Sequence, residues 1–258
     1  MPTIYQPVTL EGYTPEEQRM NNELNKLFDA WCSFLNTDEI KNRFCIEHFV
    51  SDGFFPHYTA QNIKILFIGR EALNIGGCSY IDIIHKCYKN NYIYDRHINS
   101  HPFHRKLFKI AYGLTHGCPH WEEIPSPSDL TDSFATCDGL SFAFMNLSKI
   151  SNETERWTAD YATINSFLED SAQSRMNFIN KEIEILSPDL IITMNFADKF
   201  KYLGNIKAIP GNDGGTVHRY ELEVNGKMIP LFGTYHFSAV KSDCNDFYNP
   251  LVAAIGKL

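Results

Sequence analysis

Apolar positions along the chain alternate between helical spacing and short unbroken runs. Thr14-Pro15-Glu16-Glu17 combines a capping box with a proline in the first turn, and Met20, Leu24, Leu27, Phe28, Trp31 and Leu35 follow at helical intervals. That pattern predicts a long amphipathic helix. After the loop "SDGFFPHY", the run Ile65, Leu66, Phe67, Ile68 is β-rich and free of polar residues, as expected of a strand covered on both faces of a parallel sheet. "FAFMN" (142–146) and "LIITM" (190–194) repeat the pattern, each preceded by a segment able to form a helix. The clearest of these helices spans 164–186, with Ile164, Phe167, Leu168, Ala172, Met176, Ile179, Ile183 and Leu186 on one face and Ser187-Pro188 closing it. "PFHRKLFKIAYGL" reads as a helix within the long connection after the first strand. "FADKFKYLG" is a short helix ended by Gly204, and a last helix includes Pro250 to Leu258. Two strand-like runs in "TVHRYELEVNGKMIPLFGTYHF" flank Asn225-Gly226, a strong hairpin signal.

Alternating strands and helices imply a parallel sheet between helical layers, with an antiparallel ribbon near the end. No internal repeat or interdomain linker interrupts residues 1–258, which read as a single domain, and 43% hydrophobic and 14% aromatic content suffices for a full core. No apolar run approaches a membrane span, and "MPTIYQPVTLEGY" lacks the regions of a signal peptide, so a cytoplasmic protein without membrane partners is expected. Seven scattered cysteines without a CxxC pair argue against a disulfide framework or zinc ribbon. "HGCPH" (116–120) reads as a loop, and no metal site is expected. The net charge of −8 gives no global attraction to nucleic acid, so contact with DNA requires a local basic patch.

Polar residues collect where the buried runs end: Arg70 and Glu71 after the first, Asn146 to Lys149 after the second, Asn195 after the third, and Tyr235, His236 and Ser238 after the last. In open α/β sheets, ligands bind beyond the carboxyl ends of the strands. A carboxylate, a carboxamide and an imidazole on one rim can orient water, read a planar amide-like ligand and stabilise an anion, which is a hydrolytic set. Each also has a structural reading: Glu71 as an ion-pair partner, Asn146 as a loop ligand and His236 as a hydrogen-bonded core histidine. There is no Gly-x-Ser-x-Gly elbow and no Walker phosphate loop.

In order along the chain, "IGREAL" (68–73), "HPFHRKLFKIAYGL" (101–114), "FMNLSK" (144–149) and "TYHFSAV" (234–240) resemble motifs of the uracil-DNA glycosylase superfamily. Those motifs are the Gly-Gln-Asp-Pro-Tyr or Gly-Glu-Ala-Pro-Gly strand end, the Pro-Phe helix start, the second-strand asparagine and the His-Pro-Ser loop. The resemblance implies a three-layer α/β sandwich about a central, mostly parallel four-stranded sheet. It also implies hydrolysis of the N-glycosidic bond of uracil or another deaminated base, flipped out of DNA. Phe103 would stack on that base, Asn146 would read its edge, and Gly69 and Arg70 would complete the base-binding wall. His236 would stabilise the departing base, and Glu71, aligned through Gly-x-Asp, would orient water or stabilise the cationic sugar. Val240 would be an apolar wedge, and Lys149, Ser238 and Lys241 would contact DNA. The iron–sulfur branch needs four cysteines at positions this chain does not supply, so no cofactor is expected, and the protein is expected to act as a monomer.

The sequence also departs from these motifs. Ala72 stands at the proline of the Gly-x-Asp-Pro form and Phe237 at the proline of His-Pro-Ser, so both loops lose a rigid element. If the Gly-Glu-Ala pattern is the better guide, the family carboxylate aligns with Arg70 and Glu71 is only nearby. The alternative function is a catalytically altered module of the same fold that binds a base, nucleotide or protein partner. A basic groove across Lys149, Lys241, Arg105 and Lys106 would separate the two.

Overall fold

The structure is a computed structural model, and it describes residues 4–154, 158–210 and 215–256. Its helices are α1 (Pro15–Leu35), α2 (Tyr80–Lys89), α3 (Pro102–Thr115), α4 (Pro127–Thr131), α5 (Tyr161–Gln173), α6 (Phe178–Leu186) and α7 (Asn249–Ile255). Its strands are β1 (Gly53–Phe54), β2 (Ile65–Gly69), β3 (Tyr92–Ile93), β4 (Arg96–His97), β5 (Ala143–Asn146), β6 (Leu190–Met194), β7 (Ile206–Ala208), β8 (His218–Val224) and β9 (Lys227–Thr234).

The central sheet has seven strands in the order β1-β5-β2-β6-β9-β8-β7, not the four expected. The four-stranded expectation does describe its middle, because β5, β2, β6 and β9 run parallel. The hairpin at Asn225-Gly226 forms as expected. β8 pairs antiparallel with β9 over seven residue pairs, and β7 adds beyond it, so the ribbon extends the same sheet. β1 closes the opposite edge, antiparallel to β5.

Strand periodicity divides the apolar residues between two cores. Leu66, Ile68, Ala143, Met145, Ile191 and Leu231 face α1, α5 and α6, whereas Ile65, Phe67, Phe144, Ile192 and Phe232 face α2, α3 and α7. Three layers result. On the first side Trp31 of α1 stacks on Phe178 at 5.2 Å and 10° and on Phe167 at 5.3 Å, locking α1 to α5 and α6. The cap of α1 is as its sequence requires: the Glu17 N–H donates to Thr14 Oγ1, and Glu17 Oε2 accepts from the Thr14 N–H.

Three segments differ from the periodicity. The 164–186 helix is two helices, because Asn177 caps α6 by accepting the Asn180 N–H at 3.1 Å and the chain extends at Ser174. "FADKFKYLG" forms a 3₁₀ segment, Ala197–Tyr202, and the terminal helix follows a π-helical turn at Asp243–Tyr248. The last two residues of the expected terminal helix lie outside the described residues. The 76–140 connection is also structured: it holds α2, the β3–β4 hairpin, α3 and α4, and it packs over the second core. Among the described residues, no helix is long and apolar enough to cross a membrane.

Parallel register brings four strand ends to one edge. Gly69 sits opposite Asn146, and Met194 opposite Thr234.

A candidate active site beyond the parallel strands

A cavity of about 370 Å³ opens at that edge, and its wall includes Gly69, Arg70, Glu71, Phe103, Asn146, His236 and Ser238. Seven of the residues singled out in the sequence therefore meet in one place. Asn195 does not join them. It lies at the end of β6 in a separate cavity of about 240 Å³ with Thr216, His218 and Tyr235.

Gly69 ends β2 under tight contact. A Cβ there would lie 2.8 Å from Cζ of Phe144 and 3.6 Å from Oδ1 of Asn146, and the Phe144 ring is itself stacked on Tyr80 at 4.7 Å. The ring cannot retreat without disturbing that stack. Gly69→Ala is expected to cost about 1–3 kcal/mol of stability through overpacking and to weaken any ligand that contacts Asn146. Urea unfolding and ligand titration of the same variant check this.

The turn after β2 has no proline, and backbone hydrogen bonds hold it instead. Leu147 N–H donates to Gly69 O at 3.0 Å, Ser148 N–H to Arg70 O at 2.8 Å, and Asn152 N–H to Ala72 O at 2.9 Å. The His236 loop is anchored in another way. Phe237 is fully buried against Phe67, Phe103 and Phe247, and its carbonyl accepts from Lys106 Nζ at 2.8 Å. An aromatic anchor takes the place of the rigid ring.

Glu71 is held by one oxygen. Oε1 accepts from Asn152 Nδ2 and from the Asp160 N–H, both at 3.0 Å, while the buried Oε2 has no hydrogen-bond partner among the described residues. Burial raises its pKa above the ordinary carboxylate value, partly offset by those two donors. Arg70 has its guanidinium 5.6 Å from the centre of the Tyr161 ring, and its buried Nε has no partner among the described residues.

His236 Nδ1 accepts the Ser238 N–H at 3.2 Å, which assigns the proton of the neutral ring to Nε2. Burial, then the charges of Arg70 and Lys106, push its pKa down to about 4. At neutral pH the ring is an uncharged Nε2–H donor. Phe103, placed at the start of α3 by Pro102 in the first turn, lies 5.7 Å from the imidazole centre. Asn146 is 2% exposed at the end of β5, and its N–H and Nδ2 donate to Asp52 Oδ2 at 2.5 and 3.4 Å.

Three expected DNA contacts do not line the cavity. Lys149 is a correction: it is fully buried, with Nζ 2.7 Å from Asp52 Oδ1 and 2.7 Å from Glu182 Oε2, so it cannot reach a phosphate. Its ammonium donates to Asp52 Oδ1 at 2.7 Å and, of the two Glu182 oxygens, to Oε1 at 2.8 Å. Val240 and Lys241 are exposed on the loop beyond His236; Val240 is 103% exposed and Lys241 lies over Tyr235 at 4.6 Å. The basic groove that would separate the two readings is not formed by its named members, since Lys106 is buried and both Arg105 and Lys106 pair with Asp243.

The cavity also holds residues the sequence reading passed over: Tyr80, His101, His104 and Asn152. His104 is buried with Nδ1 2.8 Å from Tyr88 Oη, and His101 Nδ1 has no partner among the described residues. Burial lowers both pKa values, that of His101 to about 4. Their spacing about Phe103 was the available signal. No group of three or more His, Cys, Asp or Glu side chains among the described residues is placed to hold a metal ion. In "HGCPH", His116 stacks on Tyr112 at 3.9 Å.

No protein-family model, curated protein or solved structure matches the chain. The functional reading therefore rests on the motifs and on this geometry.

Proposed function

We propose that the protein is a DNA glycosylase that hydrolyses the N-glycosidic bond of uracil or another deaminated base flipped into this cavity. The observation that carries the reading is the convergence of an incompletely satisfied carboxylate, a fixed carboxamide, a neutral imidazole donor and a phenylalanine ring around one cavity.

On this reading, Phe103 stacks on the base and the Asn146 amide pairs with its carbonyl and ring N–H. As the bond from C1′ to the base nitrogen breaks, its electron pair moves onto the base. The His236 Nε2–H then donates to the base oxygen on which that charge collects. Glu71 Oε2 orients a water whose oxygen bonds to C1′ and whose proton passes to the carboxylate. Val240, fully exposed two residues beyond Ser238 of the cavity wall, suits a wedge that fills the gap left in the stack.

One observation favours the alternative of a base- or nucleotide-binding module: of the lysines expected at phosphates, only Lys241 remains exposed. Backbone attraction should then be weak. The expected slope of log affinity against log salt corresponds to about one or two neutralised phosphates, roughly −1 to −2. Fluorescence anisotropy with a labelled oligonucleotide measures it, and a slope near −5 would mean a basic surface elsewhere dominates.

The deciding experiment is base release from single- and double-stranded oligonucleotides carrying uracil, hypoxanthine or xanthine. Release above background supports the glycosylase reading. No release from any of them by folded protein removes it for these bases and leaves the binding module.

A further inference from the structure

Asp52 belongs to no motif, yet it is fully buried behind the reading residue of the cavity. One of its oxygens, Oδ2, accepts from both the backbone N–H and the Nδ2 of Asn146. The other, Oδ1, accepts from Lys149 Nζ at 2.7 Å, and Lys149 also donates to Glu182. The carboxylate is thus held from behind while it holds the amide in front.

We propose that Asp52 is a positioning residue that fixes which way the Asn146 amide faces, and thereby which hydrogen-bonding edge of a base the cavity accepts. The claim about base choice rests on the glycosylase reading; the claim about amide orientation does not.

The argument is one of donors and acceptors. An ionised carboxylate only accepts, so the amide must turn Nδ2 towards Asp52, because Oδ1 in that position would set two acceptors against each other. Both Asp52 oxygens face donors, Oδ2 the Asn146 backbone N–H and Oδ1 the Lys149 ammonium, so Asp52 stands as an acceptor, while burial pushes the neighbouring Glu182 carboxyl well up. With one N–H committed, the amide is left with Oδ1 and one N–H in a fixed order. Oδ1 lies on the Gly69 side, 3.6 Å from the place a Cβ there would fill. A base edge with a ring N–H next to a carbonyl complements that order, as in uracil, hypoxanthine and xanthine. Cytosine presents a ring acceptor next to an amino group and would need the amide turned over. At a site 2% exposed, where no water competes, that mismatch leaves buried polar groups unpaired.

The test is Asp52→Asn. The new side chain is isosteric and can meet the Asn146 amide either way round, while Glu182 keeps its hydrogen bond to Lys149. Two quantities are read: the preference for uracil over cytosine in otherwise identical oligonucleotides, and the solvent exchange of the Asn146 side-chain NH₂ in protein with ¹⁵N-labelled asparagine. The NH₂ signal is assigned by its loss in Asn146→Ala. Glu182→Gln, which does not touch Asn146, is the control for general loosening and should change neither. Asp52→Asn should reduce the preference at least tenfold and speed exchange of the protected proton at least tenfold. A folded variant with unchanged exchange overturns the positioning role. Faster exchange with unchanged preference overturns the link to base choice. If the wild type releases no base, the glycosylase reading fails on its own, and exchange still decides the role of Asp52. Should Asp52→Asn not fold, Asp52→Ser, which keeps an acceptor for the Asn146 N–H, is read in the same way.

Discussion

His236→Ala is expected to lower base release from a uracil-containing oligonucleotide about 100-fold, and Asn146→Ala at least about tenfold, with folding intact. The larger effect follows from charge. Leaving as an anion is the costly part of breaking the bond, and removal of one pre-set donor to a developing anion typically costs about 10²–10³ in rate. On the proposed reading His236 is such a donor, because its Nδ1 is committed to the Ser238 N–H and its pKa is pushed down to about 4. On the proposed reading Asn146 contributes mainly to recognition, and a tenfold loss corresponds to about 1.4 kcal/mol. pH separates the two titrating groups. The proposed mechanism requires the ionised form of Glu71, and burial raises its pKa, so activity should fall on acidification from above the ordinary carboxylate range. His236 gains its proton only near pH 4, so it should add no step between pH 5 and 8. Initial rates from pH 4 to 9 check this. A transition near 6.5 that vanishes in His236→Ala would show an ordinary histidine and remove the neutral-donor argument.

Much of this site was legible because strand ends are legible. Three unbroken apolar runs and one hairpin locate the carboxyl edge of the sheet, and the polar residues just after Ile68, Met145 and Thr234 follow from it without any tertiary information. The sheet's width was not legible. β1 is two residues long and β7 three, too short for periodicity to register, and they pair only because β5 and β8 offer them an edge. The break at 174–177 was hidden for a related reason: Met176 fits the helical stripe by spacing, yet it is 38% exposed at a junction set by the Asn177 cap. Lys149 shows the limit most clearly. A lysine three residues after Asn146 looks like a phosphate contact, and its true partners, Asp52 and Glu182, lie far away in sequence on a loop and a helix. Only the fold brings three charges together.

That cluster gives the largest expected effect on stability. Lys149→Met should destabilise the protein by about 3–5 kcal/mol, the usual cost of removing one partner from a buried ion pair. The loss is not mainly that of an attraction. Asp52 and Glu182 are both fully buried, and without the ammonium their two carboxyl groups face each other with no cation between them. Burial already pushes the Glu182 carboxyl up, so uptake of a proton once the ammonium is gone limits the damage, and the low end of that range, about 3 kcal/mol, is expected. In a chain of this size that is roughly a 6–12 °C fall in melting temperature. Adding Glu182→Leu should recover part of the loss, because it removes one of the two stranded acids while Asp52 keeps its bonds to Asn146. Urea unfolding of the wild type, the single variant and the double variant measures each step. A cost below about 1 kcal/mol for Lys149→Met, the range of exposed pairs, would mean that water reaches the cluster, and Lys149 would then return to consideration as a surface contact.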